Sequence, residues 1–282
     1  MDAHKPLKLK FVRLETKDRI AKITLNRPEK KNAMNPPMHE EMFHLLTDLA
    51  ERKDVEVLVL TGAGDSFTAG MDILECFLET YHDPEKFLSV NKFTMGWFQK
   101  LHYFPKPTVA CVNGWCFGGG MAVLGACDLA LASDKAVFGL SEINFGLIPA
   151  GGAMWAPVYH MLPRHALYYV LTGDTISAQE AVTMGLINKV IEHSKLNSAT
   201  EELALKLSKK NPYALKIAKE LFHGLKDMDL SRAIPYEMGK VHELSYFEKG
   251  EWVEQGLKQF KRKQYKPGLE TYKRDKTLRK GR

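Results

Sequence analysis

The stretch that decides the fold is residues 107–152, PTVACVNGWCFGGGMAVLGACDLALASDKAVFGLSEINFGLIPAGG. Its first segment, Thr108 to Val112, is short, apolar and β-branched, and Asn113-Gly114 ends it, so the pattern predicts a buried strand. Three glycines, Gly118 to Gly120, then precede Met121 to Cys127, whose small and apolar residues are typical of a buried helix. The stretch therefore predicts a glycine turn between a strand and a helix.

Such a turn lets the backbone approach a ligand closely, and the start of the helix supplies N–H donors without intrahelical acceptors. About twenty residues later, Glu142 is surrounded in the sequence by apolar residues, namely Phe138, Leu140, Ile143 and Phe145. Apolar surroundings disfavour the charged form of a carboxyl group, which suits proton transfer near neutral pH. Donors and acid together indicate an enolate-forming site. Taken alone, the same residues also fit close packing and a strand-end carboxylate that faces water.

The composition describes a chain of 282 residues with 45% hydrophobic content, enough for one large domain or one domain with an appendage. The net charge is +6, and much of the excess lies in the tail from Tyr265 to Arg282. A solvated tail and a polyanion-binding tail both fit this excess, and we favour the solvated tail.

The four cysteines show no CxxC spacing, which favours reduced core thiols in a cytoplasmic protein. The N-terminal sequence MDAHKPLKLKF has no apolar signal region, and no apolar run reaches membrane-spanning length. We therefore expect no secretory signal and no membrane association.

Hydrophobic periodicity predicts the remaining elements. A hairpin is predicted from Phe11–Leu14 and Ile20–Leu25, an amphipathic helix over Met38–Arg52, and a covered strand over Val55–Leu60. The segments Asp83–Phe104, Pro163–Leu171 and Ala178–Met184 are predicted as helices, and Ile187–Ile191 as the last strand. From Lys195 onward the pattern predicts helices alone, over Asn197–Lys209, Pro212–Gly224, Leu230–Glu248 and Glu251–Gln264.

The helix over Met38–Arg52 contains His39-Glu40 and His44, which nearly match the HExxH zinc motif. The two histidines are five residues apart rather than four, so they do not share one helix face. We predict no metal site.

Several motifs carry a resemblance to a known family. NGWCFGGG, CDLA and FGLSEINFGLIPAGG resemble the signature of the crotonase (enoyl-CoA hydratase/isomerase) superfamily. LNRPEKKNAMN, LTGAGDSFTAGMD and TGDTISAQEAVTMGLINKV extend the resemblance over nearly the whole chain. Within the superfamily, NGWCFGGG, SEINFG, EQGLKQF and KPGLETYKR are most similar to the hydroxycinnamoyl-CoA hydratase-lyase group.

This resemblance implies an α/β fold, a crotonase-like spiral of β-β-α turns with a C-terminal helical oligomerisation region. It implies a core with the acyl-CoA site over residues 1–195, a helical trimerisation region over 196–264 and a basic tail over 265–282. The expected assembly is a homotrimer or a dimer of trimers.

The resemblance also implies roles for individual residues. The backbone amides of Met71, which follows Ala69 and Gly70, and of Gly119 would donate to the thioester oxygen, an effect worth about 3 kcal/mol per donor. Glu142 would be the acid/base, Lys30 would contact the phosphates of coenzyme A, and Ala69 would contact the substrate. No separate cofactor is implied, because coenzyme A is part of the substrate.

The sequence departs from the family pattern at three positions. Ala122 stands where two-glutamate hydratases carry an acid and where the lyases carry serine. Cys76 and Met238 align with two tyrosines that bind the substrate phenol, and neither side chain can replace that hydrogen bond. Tyr236, two residues before Met238, is a candidate substitute. These departures leave the acyl specificity open.

Three functions therefore remain open. The first is an acyl-CoA hydratase-lyase that acts on a 2-enoyl-CoA, with a hydroxycinnamoyl-like substrate. The second is hydration or isomerisation of a non-phenolic acyl-CoA. The third is a catalytically weak RNA-binding relative, which the absence of interleaved aromatic and basic stripes and the retained Glu142 disfavour.

Overall fold

The computed structural model of the protein describes residues 9–275. Its ten strands form two sheets, and six of them lie between residues 55 and 140. The strands are β1 Val12–Lys17, β2 Ile20–Leu25, β3 Val57–Gly62, β4 Ser66–Thr68, β5 Thr108–Val112, β6 Trp115–Phe117, β7 Leu129–Ser133, β8 Val137–Gly139, β9 Thr175–Ser177 and β10 Lys189–Ile191.

Eleven α-helices are interspersed with these strands in the described part of the chain. They are α1 Pro36–Glu51, α2 Ile73–Cys76, α3 Pro84–His102, α4 Gly119–Ala126, α5 Trp155–His160, α6 Pro163–Thr172, α7 Ala178–Thr183, α8 Leu196–Ser208, α9 Pro212–Leu225, α10 Leu230–Glu248 and α11 Lys258–Lys261. A π-helical stretch, Trp252–Leu257, leads directly into α11. The predicted α/β class and the long helices are confirmed, with ends shifted by a few residues.

The larger sheet has six strands in the order β1-β2-β3-β5-β7-β10. The β1–β2 pair is the predicted hairpin and is antiparallel, whereas the other neighbours are parallel. The strand predicted at Thr108–Val112 is β5, and all five of its residues are buried. Coverage on both faces explains its continuous apolar run, as expected for a central parallel strand.

A second sheet, in the order β4-β6-β8-β9, was not predicted from the sequence. Each of its strands has three residues, too few for a period-two pattern to stand out. One expectation needs correction. The glycine turn does not follow β5 directly, because β6 lies between Asn113-Gly114 and Gly118.

The chain divides into two compact units, Met1–Ala204 and Leu205–Arg282. In the second unit, α9 packs against α10, and the buried Arg274 side chain pairs with Glu251. That pair ties the first part of the basic tail to the helical unit, while residues 276–282 of the tail lie outside the described residues. The N-terminal segment 1–8, for which we expect no secretory signal, also lies outside the described residues.

The four cysteines are free and buried, as predicted for core thiols. His39 is fully buried and accepts a hydrogen bond at Nδ1 from the indole N–H of Trp97 (2.9 Å). Burial lowers the pKa of His39 to about 3, so the ring is neutral. No helix within residues 9–275 combines the length and the apolar character needed to span a bilayer.

The loop between β2 and α1 depends on Asn32. Its side-chain carbonyl accepts from the Arg27 N–H (2.9 Å), and its amide donates to Ala63 O (2.8 Å) and Ser66 O (2.7 Å). These bonds fasten the loop to the ends of β3 and β4. Lys31 and Asn32 both have left-handed backbone angles, with φ of 51° and 56°.

We expect Asn32→Ala to lower the free energy of unfolding by about 3 kcal/mol, because the buried Arg27 N–H and Ala63 O lose the Asn32 side chain and Ser66 O keeps only the Asn113 amide. Lys31→Ala is the matched control, since it carries a similar positive φ but loses an exposed contact with the Trp115 ring and a partly exposed ion pair, worth about 1 kcal/mol or less. Urea denaturation of both variants checks this. An equal loss of unfolding free energy in both variants would mean that the left-handed backbone angle, and not the Asn32 side-chain amide, determines the effect.

Candidate active site

The site is built where three parallel strands of the small sheet end. Strand β6 pairs with β4 on one side and with β8 on the other, both in parallel. Because parallel strands end at the same edge, the segments that follow them are neighbours. These segments carry Met71 after β4, Gly119 after β6 and Glu142 after β8.

Met71 is held by a short parallel bridge to Met34. The Met34 N–H donates to Gly70 O (2.7 Å), and the Asp72 N–H donates to Met34 O (2.9 Å). These two bonds involve the carbonyl group of Gly70 and the N–H of Asp72, the residues on either side of Met71. The N–H of Met71 itself takes no part in the bridge. The Met71 amide can therefore donate to a ligand.

Gly119 lies beside this amide. It is the first residue of α4, so its N–H has no intrahelical acceptor. A Cβ atom added at Gly119 would lie 3.4 Å from the Met71 nitrogen, and one added at Gly70 would lie 3.1 Å from the Gly119 nitrogen. Two neighbouring amides of this kind can stabilise a developing oxyanion, and this role of Met71 and Gly119 stays a prediction.

Gly118 is the position where glycine is required. Its φ of 50° and ψ of −117° lie in a region that other residues avoid. An added Cβ would also lie 3.0 Å from Glu142 Oε1. The missing side chain thus lets the Glu142 carboxyl group lie directly against the turn that carries Gly119.

Glu142 lies in a 3₁₀ turn, Ser141–Phe145, immediately after β8. Its Oε2 atom is buried, with no hydrogen-bond partner in the part of the chain that the structure describes. Burial raises the pKa of the carboxyl group, and a hydrogen bond from its own backbone N–H opposes this only in part. A carboxyl group with an unused oxygen and a raised pKa can exchange protons with a ligand.

Apolar side chains surround the two amides. A Cβ at Gly119 would lie 3.1 Å from Met71 Cγ and 3.2 Å from Met34 Cε. Ala122, one turn along α4, is buried against Gly152 and brings no titratable group. Ala122 stands at the position where two-glutamate hydratases carry a second acid. Glu142 is therefore the carboxylic acid that this stretch contributes to the site.

Cys76 ends α2 and is only 2% exposed. Its thiol donates to Met34 O (3.4 Å), the same residue whose side chain packs near Gly119. Burial raises the pKa of the thiol to about 12, so the group is neutral.

Two more predicted residues lie beside the first oxyanion segment. The Ala69 N–H donates to Lys31 O (2.9 Å), which links the end of β4 to the loop that carries Lys30. Lys30 is exposed at the end of a 3₁₀ turn, Pro28–Lys30. An exposed lysine next to the site is placed suitably for an anionic part of a ligand.

The last two predicted residues, Tyr236 and Met238, belong to α10 in the second unit. The Tyr236 ring packs against Gly224 of α9, and Met238 is 51% exposed. Their assignment to the substrate pocket stays a prediction.

Sequence reasoning missed a group of polar side chains behind Met71, namely Arg27, Asn35, Asp72 and Glu75. The pair Asp72 and Glu75 has the spacing of a helix N-terminus, and Asp72 indeed accepts from the N–H groups of Leu74 and Glu75 (both 3.1 Å). No pattern in the sequence indicated that Arg27 would be buried. In addition, residues 9–275 contain no cluster of three or more His, Cys, Asp or Glu side chains that could hold a metal ion.

Comparisons with known proteins show the family of the chain. Residues 15–268 match the enoyl-CoA hydratase/isomerase family. The chain is 42% identical to a hydroxycinnamoyl-CoA hydratase-lyase of Pseudomonas fluorescens over 94% of this chain and 97% of that protein. It is 33% identical to a short-chain-enoyl-CoA hydratase of Clostridium acetobutylicum, over 82% of this chain and 88% of that one.

Solved structures give the same result for the fold. An enoyl-CoA hydratase subunit from Geobacillus kaustophilus superimposes with a TM-score of 0.83 at 29% identity, covering 94% of this chain and 99% of that one. An enoyl-CoA hydratase from Bacillus anthracis gives 0.81 at 29% identity, covering 90% and 97%.

We expect Glu142→Gln to raise the melting temperature at pH 7, because the amide removes a buried charge while keeping the side-chain size. The pKa of Glu142 is raised in the fold, so the unfolded chain ionises first as the pH rises through the ordinary value of 4.5. Wild type therefore loses stability relative to the variant as the pH rises, until the raised pKa is passed. Calorimetry between pH 4 and 8 measures this difference.

Glu180→Gln is the matched control, because the fold lowers the pKa of Glu180 and raises that of Glu142. The Ser177 hydroxyl and N–H hold the pKa of Glu180 below its usual value. That variant should be less stable than wild type at pH 7, and the deficit should shrink as the pH falls through the lowered pKa. A Glu142→Gln protein less stable than wild type at pH 7 would contradict the assignment of a desolvated carboxylate.

Proposed function

Because the chain belongs to the enoyl-CoA hydratase/isomerase family, we propose that it is a lyase that hydrates a 2-enoyl-CoA thioester and then cleaves the product. The proposed substrate is a hydroxycinnamoyl-CoA or a close aryl analogue, which the similarity to the hydratase-lyase of Pseudomonas fluorescens supports. One observation carries the chemistry: the unpartnered Oε2 of Glu142 belongs to a carboxyl group that lies against the Gly118-Gly119 turn.

In the first step, the amides of Met71 and Gly119 donate hydrogen bonds to the thioester carbonyl oxygen. Negative charge accumulates on this oxygen when a nucleophile adds to the β-carbon, so the two bonds strengthen in the transition state. Backbone donors fixed by the sheet need no rearrangement at that moment. The product of this step is an enolate.

Glu142 moves the protons. As a carboxylate it accepts a proton from water while the water oxygen bonds to the β-carbon, and as a carboxylic acid it returns that proton to the α-carbon of the enolate. The net result is addition of H and OH across the double bond. Ala122 offers no proton, so one group performs both transfers, and a pKa raised toward the working pH favours this dual role.

Cleavage uses the same groups in a second cycle. Glu142 removes the proton of the β-hydroxyl group, and the bond between the α- and β-carbons breaks to give an aldehyde. The bonding electrons pass to the thioester as the enolate of acetyl-CoA, which the Met71 and Gly119 amides hold until Glu142 protonates its carbon. Atoms and electrons balance without an additional reactant.

The remaining assignments are part of the same proposal. The exposed Lys30 would pair with the phosphates of coenzyme A, which is part of the substrate, and no separate cofactor takes part. The helical region over residues 196–264, which contains α8 to α11, would form the contacts of a homotrimer or a dimer of trimers. The four buried free thiols fit a reducing compartment, which supports a cytoplasmic location.

One observation favours a second function, hydration alone of a non-phenolic 2-enoyl-CoA. Cys76 is a buried, neutral thiol that donates to Met34 O, so it offers no phenol-binding hydroxyl. Without a partner for the para-hydroxyl group, cleavage would lack the electronic assistance that a bound phenol supplies.

We expect wild-type protein incubated with feruloyl-CoA, cinnamoyl-CoA and crotonyl-CoA to release an aldehyde and acetyl-CoA from the aryl substrates. Glu142→Gln should lower kcat by about a thousandfold with little change in binding, because an amide cannot exchange protons with water or substrate. Mass spectrometry identifies the products, and stopped-flow absorbance gives the rates.

Glu180→Gln, which lies outside the site, serves as the control and should keep wild-type rates. Accumulation of the hydrated thioester alone would establish the second function. Turnover by Glu142→Gln above a few per cent of the wild-type rate would exclude Glu142 as the acid/base.

The para-hydroxyl group of a hydroxycinnamoyl-CoA substrate distinguishes a polar pocket from an apolar one. A site that hydrogen-bonds a substrate hydroxyl rejects analogues without it by about 10⁴, whereas an apolar wall discriminates weakly. Since neither Cys76 nor Met238 carries a hydroxyl group, removal of the para-hydroxyl group from a cinnamoyl-CoA substrate should change kcat/KM by about tenfold or less.

The double substitution Cys76→Tyr and Met238→Tyr should increase that ratio, as measured by kcat/KM for the hydroxylated and unsubstituted substrates. A wild-type preference of about a thousandfold or more for feruloyl-CoA would instead mean that another residue binds the phenol, with Tyr236 the first candidate.

A further inference from the structure

Arg27 is a buried arginine whose side chain is 9% exposed. It lies just after β2, and its guanidinium group makes three polar contacts. One nitrogen, Nη1, donates to Ala33 O (2.8 Å) and to Asp72 Oδ2 (3.0 Å), and the other, Nη2, donates to Glu75 Oε1 (3.1 Å). A buried charge with this number of partners is satisfied, and each partner is thereby fixed in place.

The first two partners flank the bridge that holds the Met71 amide. Ala33 immediately precedes Met34, and Asp72 immediately follows Met71. The bridge itself consists of the bonds from Met34 N–H to Gly70 O and from Asp72 N–H to Met34 O. A single nitrogen of Arg27 thus connects the two backbone segments on either side of the oxyanion donor.

The third contact closes a ring of bonds. Glu75 accepts from Arg27 at Oε1 and from the Asn35 side-chain amide at Oε2 (3.1 Å). Asn35 follows Met34 and also caps α1, where its Oδ1 accepts from the Met38 N–H (3.2 Å). The ring runs from Arg27 through α2 to α1 and returns to the segment that pairs with Met71.

Asp72 is the element of this ring closest to the donor. Its Oδ1 accepts from the Leu74 and Glu75 N–H groups while its Oδ2 accepts from Arg27. Burial opposes the charge, yet the hydrogen bonds from Glu75 N–H and Arg27 outweigh it and hold the pKa of Asp72 below its usual value. A fully bonded carboxylate leaves the adjacent peptide little freedom to rotate.

We propose that Arg27 is a positioning residue that fixes the direction of the Met71 N–H toward the substrate carbonyl oxygen, through Asp72 on one side and Ala33 on the other. This inference rests on the proposed function, since it assigns a purpose to Arg27 only if Met71 is an oxyanion donor. Donor direction matters because a small misplacement of a preorganised group removes much of its effect on the transition state.

Arg19 provides a comparison for a purely structural role. Its guanidinium group pairs with the buried Glu56 (2.9 Å) and donates to Lys53 O (2.9 Å), and none of these residues belongs to the site. Loss of the Arg19 pair should therefore lower stability without any effect on the chemistry. A larger effect on kcat and on the carbonyl frequency in the Arg27 variants than in the Arg19 variants would therefore indicate positioning rather than stability.

The test uses the full chain and a spectroscopic readout of the oxyanion site. Cinnamoyl-CoA with a ¹³C-labelled thioester carbonyl is bound to Glu142→Gln protein, which prevents turnover, and infrared difference spectra give the carbonyl stretching frequency. Two further proteins combine Glu142→Gln with Arg27→Met or with Arg19→Met. The single variants Arg27→Met and Arg19→Met are assayed for kcat, KM and melting temperature.

We expect the carbonyl frequency to fall on binding to Glu142→Gln and to Glu142→Gln/Arg19→Met, and to fall by clearly less in Glu142→Gln/Arg27→Met, in which the Gly119 amide still donates. Arg27→Met should lower kcat by about ten- to a hundredfold, part of the loss known for removal of an oxyanion donor, while KM changes by about threefold or less. Arg19→Met should lower the melting temperature and leave kcat unchanged.

Arg27→Lys keeps the charge but cannot contact Ala33, Asp72 and Glu75 together, so it should give an intermediate frequency and an intermediate kcat. It also provides the test if Arg27→Met does not fold. A carbonyl frequency and a kcat in the Arg27 variants equal to those of the Arg19 control would overturn the inference and leave the proposed function intact. Absence of a carbonyl shift in Glu142→Gln, together with absence of turnover in wild type, would overturn the proposed function itself.

Discussion

The parallel pairing of three short strands is the constraint on which the rest of the site depends. Strands β4, β6 and β8 have three residues each, and the bonds between them bring together segments that are far apart in the sequence. The Gly118 N–H, which donates to Gly139 O (3.0 Å), continues this pairing past the end of β6. The glycine turn is thereby aligned with the segment that leads to Glu142, and the turn that carries the Gly119 amide comes to lie beside a carboxylic acid.

The same arrangement separates two carboxyl groups into different electrostatic environments. Asp72 receives two N–H groups and a guanidinium group, and its pKa is lowered. Glu142 has a buried oxygen without a partner in the described structure, and its pKa is raised. Environments that move the pKa values of two acids in opposite directions favour a structural charge at Asp72 and support the proton transfer proposed for Glu142. The edge of the small sheet creates both environments, because Asp72 follows β4 and Glu142 follows β8.

Much of the fold could be predicted from the sequence because the longer elements have clear periodicity. The run Thr108–Val112 is buried on both faces as β5, and Leu230–Glu248 has the predicted bounds as α10. The small sheet could not be predicted in this way, because three residues hold no measurable period and the pairing of β4 with β6 spans nearly fifty residues. Of the candidate site, the motifs named Met71, Gly119 and Glu142, which the structure brings close together, while their roles stay predictions. Arg27 was missed because burial of a charged side chain is set by partners distant in sequence, such as Asp72 and Glu75.

The buried thiol of Cys76 has a chemical consequence for an enzyme of this kind. A 2-enoyl thioester is an electrophile, and thiolates add readily to its β-carbon, so a reactive cysteine near the acyl group would become alkylated by the substrate. Burial raises the pKa of Cys76 to about 12. Because the thiolate is the nucleophile, a thiol with this raised pKa stays in its unreactive form at pH 7. The hydrogen bond to Met34 O further occupies the proton of the thiol. Desolvation, which also raises the pKa of Glu142, would thus spare the protein from alkylation by its own substrate.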